Sequence, residues 1–142
     1  MSKKNRFIDN QDGTITDIET SLIWLKEDGW QQEARWFTWD EAMDWAVEMG
    51  TRKFGGIQDW KLPDEEEIQT LYTPEAINKD KYEKDIHLDP VFPPGCQATV
   101  WLKSDSGHEG TIFDFKNGEL RSLYKSKTGR MSVRLLQANL TW

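Results

Sequence analysis

Residues 38–49 read TWDEAMDWAVEM, and this stretch decides the fold. Trp39, Ala42, Trp45, Ala46 and Met49 recur at helical spacing, while Asp40, Asp44 and Glu48 stay polar. The pattern predicts a helix over Thr38 to Met49 with one apolar face. Thr38 and Glu41 form a capping box, in which hydroxyl and carboxylate each satisfy an orphan amide. Gly50 is the expected stop.

Toward the N-terminus the signals turn to β. Phe7 and Ile8 precede a turn at Asn10-Gln11-Asp12-Gly13, and Thr14-Ile15-Thr16 follows with β-branched residues throughout. Gly13 can take the positive φ that a tight turn often needs. A polar turn at Glu19-Thr20-Ser21 leads into Leu22-Ile23-Trp24-Leu25, which completes a predicted β-meander.

Toward the C-terminus a second helix is predicted to start at Asp64. Asp64 and Glu67 repeat the capping-box spacing, Ile68, Leu71 and Tyr72 supply the buried stripe, and Pro74 marks the end. Residues 73–98 carry Pro74, Pro90, Pro93, Pro94 and Gly95, which predicts a long irregular excursion. Such loops are uncommon in compact domains and often functional. Asn117-Gly118 then signals a hairpin with a two-residue turn. With that turn Lys116 pairs Glu119, Phe115 pairs Leu120, Asp114 pairs Arg121 and Ile112 pairs Leu123. A further turn at Ser126-Lys127-Thr128-Gly129 returns the chain into Met131 to Leu136. Strands, two helices, a long loop and strands again make an α+β domain over 1–142, with its core at about 6–136.

A chain of 142 residues is one domain, long enough to bury a core without staples. The net charge of −7 disfavours nucleic acid. The basic stretch with Arg121, Lys125, Lys127 and Arg130 reads as a solvated hairpin. The single cysteine, Cys96, excludes an intrachain disulfide and a cysteine-based zinc site. The opening MSKKNRFIDN has no apolar stretch, which predicts a cytoplasmic chain without a signal peptide. No apolar run approaches the ~18 residues that span a bilayer, so no membrane partner is expected. Of the tryptophans, Trp24, Trp45, Trp60 and Trp101 lie within apolar pattern and are expected in the core. Trp30 and Trp36 flank the polar segment Gln31 to Arg35. They either stack on a sugar or flat ligand, or close the core edge or a subunit contact. Trp142 ends the chain and frays or docks on a neighbour.

The ordered series RFIDNQDGTITD, SLIWLKE, TWDEAMDWA, DWKLPDEEEIQTL, DPVFPP, DFKNGEL and VRLL resembles the DUF1566 family, also described as the C-terminal domain of the Legionella collagen-like adhesin. The similarity runs from about Arg6 to Leu136. The resemblance implies a C-type-lectin-like fold: two helices on an irregular, mostly antiparallel sheet, with N- and C-terminal strands close together. It also implies ligand or surface binding, often in secreted or surface-exposed proteins. Relatives recognise glycosaminoglycans, which needs a cationic face; this acidic chain does not inherit that ligand. Many members carry a cysteine near the final strand, where this chain has Val133-Arg134-Leu135-Leu136.

Catalytic patterns are absent from the sequence. Asp9, Asp12 and Asp17 do not make an EF-hand-like loop, because the first ligand position counted back from Gly13 is Ile8. The run Asp64-Glu65-Glu66-Glu67 reads as a helix N-terminus favoured by the dipole. His87, Cys96 and His108 are too scattered for a metal-ligand motif, and no Ser-His-Asp or Cys-His pairing has supporting context. The expectation is a non-catalytic module without metal or cofactor, binding carbohydrate or protein; the alternatives are an oligomeric interaction or assembly protein and, last, an enzyme with an unrecognised site. Binding residues gather on loops. The candidate contacts are therefore Trp101, Lys103, Asp105, His108, Arg121 and Tyr124, on and around the 103–110 loop.

Overall fold

A computed structural model describes residues 6–105 and 107–138. In chain order it contains β1 (Phe7–Asp9), β2 (Thr14–Asp17), β3 (Leu22–Leu25), α1 (Gly29–Glu33), α2 (Trp39–Thr51), a 3-10 turn (Phe54–Gly56) and α3 (Glu65–Leu71). There follow β4 (Asn78–Lys79), β5 (Asp85–Ile86), β6 (Thr99–Trp101), β7 (Glu109–Asp114), β8 (Glu119–Tyr124) and β9 (Leu136–Ala138). The strands form sheets β1-β2-β3-β9, β4-β5 and β6-β7-β8, with antiparallel pairing throughout. The α+β class and the N-terminal meander are as the sequence predicts. Strand β9 returns beside β3, with Trp24 opposite Leu136.

The two larger sheets are stitched together by Met131 to Leu135. On one side Ser132 N donates to Thr99 O at 3.1 Å and Trp101 N to Ser132 O at 3.0 Å. On the other, Gly29 N donates to Val133 O at 2.8 Å and Leu25 N to Leu135 O at 3.0 Å. Alternation then buries both faces of the central strands. Trp24, Val100 and Phe113 face a layer containing Ile68 and Leu71 of α3. Their neighbours Leu25, Trp101 and Ile112 face a layer containing Trp45 and Met49 of α2. The excursion over 73–98 contributes Ile86, Leu88, Phe92 and Cys96 to the first layer, so much of it is core.

Three sequence expectations are corrected. Among the described residues there are three α-helices, because Asp28 and Gln31 build a capping box at the head of α1; at five residues α1 is too short to show a helical period. Helix α2 does not stop at Gly50 but runs through it to Thr51. Glycine is needed there because a Cβ would lie 2.0 Å from Gln58 O of the returning chain. The hairpin register also differs: Asp114 pairs Glu119, Phe113 pairs Leu120 and Ile112 pairs Arg121. The loop therefore runs from Phe115 to Gly118. Gly118 N closes it on Asp114 O at 2.7 Å, and Asp114 Oδ1 accepts Lys116 N at 2.9 Å. Phe115 is drawn into the core, its N–H given to Ala98 O at 2.9 Å, and is lost to the hairpin ladder. The displacement keeps side-chain parity, so Arg121 still reaches Asp114 at 3.3 Å.

Candidate functional site

Thr99, Ile112, Asp114, Arg121 and Leu123 lie along one side of the β6-β7-β8 sheet and floor a depression of about 520 Å³. The turn after β4 and the segment Gly129 to Met131 wall it. Buried Asp80 shapes that turn: its Oδ1 accepts Tyr82 N at 2.8 Å and Lys84 N at 2.9 Å. Lys81 N fixes the turn to the core by donating to Cys96 O at 2.8 Å.

The depression gathers the cations Lys84, Lys116, Arg121 and Arg130 around the carboxylates Asp80 and Asp114. Arg121 is held by Asp114 and, at 3.4 Å, by Glu119. Among the described residues, Lys84, Lys116 and Arg130 have no carboxylate within 4.0 Å. In a chain of net charge −7 these three are a local group of cations without a carboxylate partner. Gln97 stands in the wall, 5% exposed, its N–H on Asp28 Oδ2 at 2.9 Å. Its Oε1 has no hydrogen-bond partner among the described residues.

The structure scatters the six predicted contacts. Trp101 is fully buried in the layer under α2 and donates Nε1–H to Phe37 O at 2.8 Å. It is a core residue and is out of reach of a ligand, which corrects its place among the candidates. Lys103 and Asp105 share a separate depression of about 490 Å³ with Asp64, Glu65, Glu66 and Glu109. His108 and Tyr124 sit in a third, of about 460 Å³, beside Trp39 and Lys125. Only Arg121 belongs to the cationic depression. Ser106 of the 103–110 loop and Trp142 lie outside the described residues.

The basic stretch divides as well. Arg121 and Arg130 turn into the cationic depression. Lys125 packs its ammonium 3.9 Å from the Trp39 ring and donates to Asp105 O at 2.7 Å. Sequence reasoning missed Tyr82, Lys84 and Lys116. No local signal joins them, because three distant segments meet only in the folded chain; the proline-rich excursion was the one indication.

Trp30 and Trp36 take an intermediate course. Both are half-buried, stacked on each other with centroids 4.3 Å apart and planes 19° from parallel. Lys81 Nζ lies 4.4 Å from the Trp30 centroid, 4.6 Å from Tyr82 and 5.7 Å from Trp36. Arg130 covers Tyr82 at 5.2 Å, which makes the aromatic group contiguous with the depression.

Behind the site runs a buried polar seam. Asp28 accepts Gln31 N and Gln97 N, so it joins α1 to the wall of the depression. Burial pushes its carboxyl upward, against the charge of Arg134 and those N–H donors. Arg134 Nη1 donates to Leu25 O at 2.9 Å and Lys26 O at 2.8 Å. Burial pushes the Cys96 thiol up to about 12. His87 Nδ1 pairs with Ala76 O at 3.0 Å. The three acids of the N-terminal segment serve its turns and partners: Asp9 holds Lys26, Asp12 holds Thr14 and Asp17 holds Arg6.

No helix among the described residues is long and apolar enough to cross a membrane. No curated protein matches the chain. Residues 13–137 match the family described as the Lcl C-terminal domain, and the chain belongs to that family.

Proposed function

We propose that this Lcl C-terminal domain protein is a non-catalytic binding module of C-type-lectin-like fold, which takes an anionic segment of a carbohydrate or protein partner into the depression on β6-β7-β8. The family supports a surface-binding, adhesin-like role. The observation that carries the reading is the set of Lys84, Lys116 and Arg130 without carboxylate partners among the described residues, around about 520 Å³ of open space. Such cations raise the association rate of an anionic partner and tie affinity to ionic strength. Cys96 adds no nucleophile to this reading, since it is buried and its thiol is pushed up to about 12.

The test is a glycan and protein array probed with the wild-type chain and with an Arg121→Ala/Arg130→Ala double variant. Acidic hits are expected on the wild type, weakened by salt and lost in the double variant. Hits that survive both changes would move the site elsewhere. Self-association is a second reading, favoured by Met43 and Val47, one turn apart on α2 and 41% and 69% exposed. Light scattering decides it, and a strict monomer at high concentration removes it.

A further inference from the structure

We infer that the outer edge of β8 is a pairing site for a second copy of this chain, joined antiparallel about a two-fold axis at Ser122.

Strand β8 is the long bare edge of the molecule. Among the described residues, every other end of the two larger sheets is short or covered. β1 has three residues. Lys61 bonds Leu136 of β9 in both directions at 3.0 Å, and Ser132 runs along β6 through its bonds to Thr99 and Trp101. β8 has six residues and pairs with β7 alone, in a register unbroken over its length. It has neither the proline nor the bulge that blunts an edge.

The ladder settles which groups face outward. Lys125 N donates to His108 O at 2.8 Å, one step beyond the pair Glu109 and Tyr124. Antiparallel ladders alternate. Glu119, Arg121 and Leu123 therefore turn their backbone groups to β7, while Leu120, Ser122 and Tyr124 turn theirs outward. Ser122 and Tyr124 are exposed. The outward groups have one backbone partner among the described residues, Lys127 N on Tyr124 O at 3.0 Å, and that carbonyl keeps a second lone pair.

Two registers lay five residues of β8 against a second copy with the outward groups facing. The one centred on Arg121 sets two guanidinium groups directly opposite, and like charges so placed destabilise a sheet. The one centred on Ser122 sets Leu120 against Tyr124 and the stem of Arg121 against Leu123. One step further, Glu119 meets Lys125, which has no carboxylate within 4.0 Å among the described residues. Each contact is made twice, as a two-fold interface requires. The edge is complementary to itself in this register, which argues for a second copy over an unrelated strand.

The pairing makes one six-stranded sheet with the axis perpendicular to it. Both cationic depressions then open on the same face, with the two Arg121 residues about 7–8 Å apart on a diagonal, each still beside its own Asp114. A long anionic partner would be held at two points. This consequence rests on the depression as a binding site; the pairing itself does not.

Strand pairing alone buries less than the ~1,200 Å² of a standard interface, so a dimer with a Kd of roughly 100 µM is expected. Sedimentation velocity of the intact chain across that concentration reads it. Ser122→Pro removes an outward N–H without touching the β7 ladder and should weaken the dimer about tenfold. Ser122→Cys reads the register. Hydrogen-bonded partners across an antiparallel ladder stand ~5.5 Å apart, within disulfide reach, so a mild thiol oxidant should give a covalent dimer. Cys96 is buried and stays out of that reaction. Arg121→Cys should cross-link far less. A wild-type chain that stays monomeric up to about 1 mM overturns the inference. So does a folded Ser122→Cys chain that cross-links no better than Arg121→Cys. A dimer that survives Ser122→Pro and is lost in Val47→Glu belongs to α2 and overturns it as well. The array reads ligand binding through Arg121 and Arg130, whereas these measurements use no ligand, so the two proposals fail separately.

Discussion

Six of the eight tryptophans fall into two groups with opposite fates. Trp24, Trp45, Trp60 and Trp101 are at most 5% exposed, whereas Trp30 and Trp36 stay half in water, stacked under a lysine. The side chain is the same, so the difference lies in its neighbours. Trp101 sits between Val100 and Leu102 on a strand buried on both faces. Trp30 is followed by Gln31-Gln32-Glu33 on a helix of one and a half turns. Within the buried group the indole N–H groups are mostly used: Trp45 on Glu33 Oε2, Trp60 on Phe54 O, Trp101 on Phe37 O. The surface pair spends its π-faces instead, on each other and on a cation.

The largest expected effect tests whether the buried group is the structural one. Trp101→Ala should destabilise by about 3–5 kcal/mol, the range for emptying a large aromatic site, measured by urea denaturation. Trp101→Phe should cost less, and its residual loss reports the N–H bond to Phe37. A Trp101→Ala chain of near wild-type stability would dissolve the distinction.

The next effect sharpens the comparison through its cations. Arg6 stands 4.6 Å over Phe7 and Lys81 stands over Trp30, but of the two only Arg6 has a carboxylate within 4.0 Å among the described residues. It gives Nε–H and Nη2–H to Asp17 at 2.9 and 2.7 Å. Burial alone would raise the Asp17 carboxyl. Hydrogen bonds from Arg6 and Thr20 and the charge of Arg6 outweigh it and hold the group below its ordinary range. The pair's stability is therefore complete above the unfolded value of about 3.9 and is lost as pH falls through the lower folded value. Arg6→Gln should cost about 3 kcal/mol at neutral pH, the lower end for breaking a buried pair, since it leaves a buried carboxylate without its charged partner. The gap to wild type should close in acid; a gap independent of pH would refute the linkage.

Thr38→Ala should cost about 1 kcal/mol, seen as a lower denaturant midpoint, because it removes the hydroxyl that accepts Glu41 N at 3.1 Å. That residue also marks how far the sequence was legible. The caps at Thr38 and Asp64, the meander and the four core tryptophans were readable because each rests on residues close in sequence. The hairpin register was not, since Phe115 is claimed by Ala98 across the sheet, a contact no local pattern encodes. The cationic depression was still less legible. Lys84, Lys116 and Arg130 are isolated in sequence, and only the path of the 73–98 excursion over β6-β7-β8 brings them to one place. Of the candidate contacts, Arg121 alone was placed there. Trp101 misled because an aromatic beside a loop looks like a binding residue until its strand is known to be covered on both faces.

The smallest effect belongs to the surface pair and is the sharpest check on it. Trp36→Ala should cost less than about 1 kcal/mol, because a half-exposed ring on a loop gives up little buried area. The anchors of α1 do not involve its side chain: the Asp28 and Gln31 capping box and the Trp30 N–H bond to Ser132 remain. Near-UV circular dichroism should nonetheless change visibly, since the indole partner at 4.3 Å is gone, and the emission of Trp30 should shift as water and Lys81 rearrange around it. A small loss of stability with a large spectroscopic change means that the pair is held in place by the fold without holding the fold together. That combination is expected of residues kept for contact with something outside the chain. A loss as large as that of Trp101→Ala would instead place Trp36 with the core and leave the aromatic group no role beyond packing.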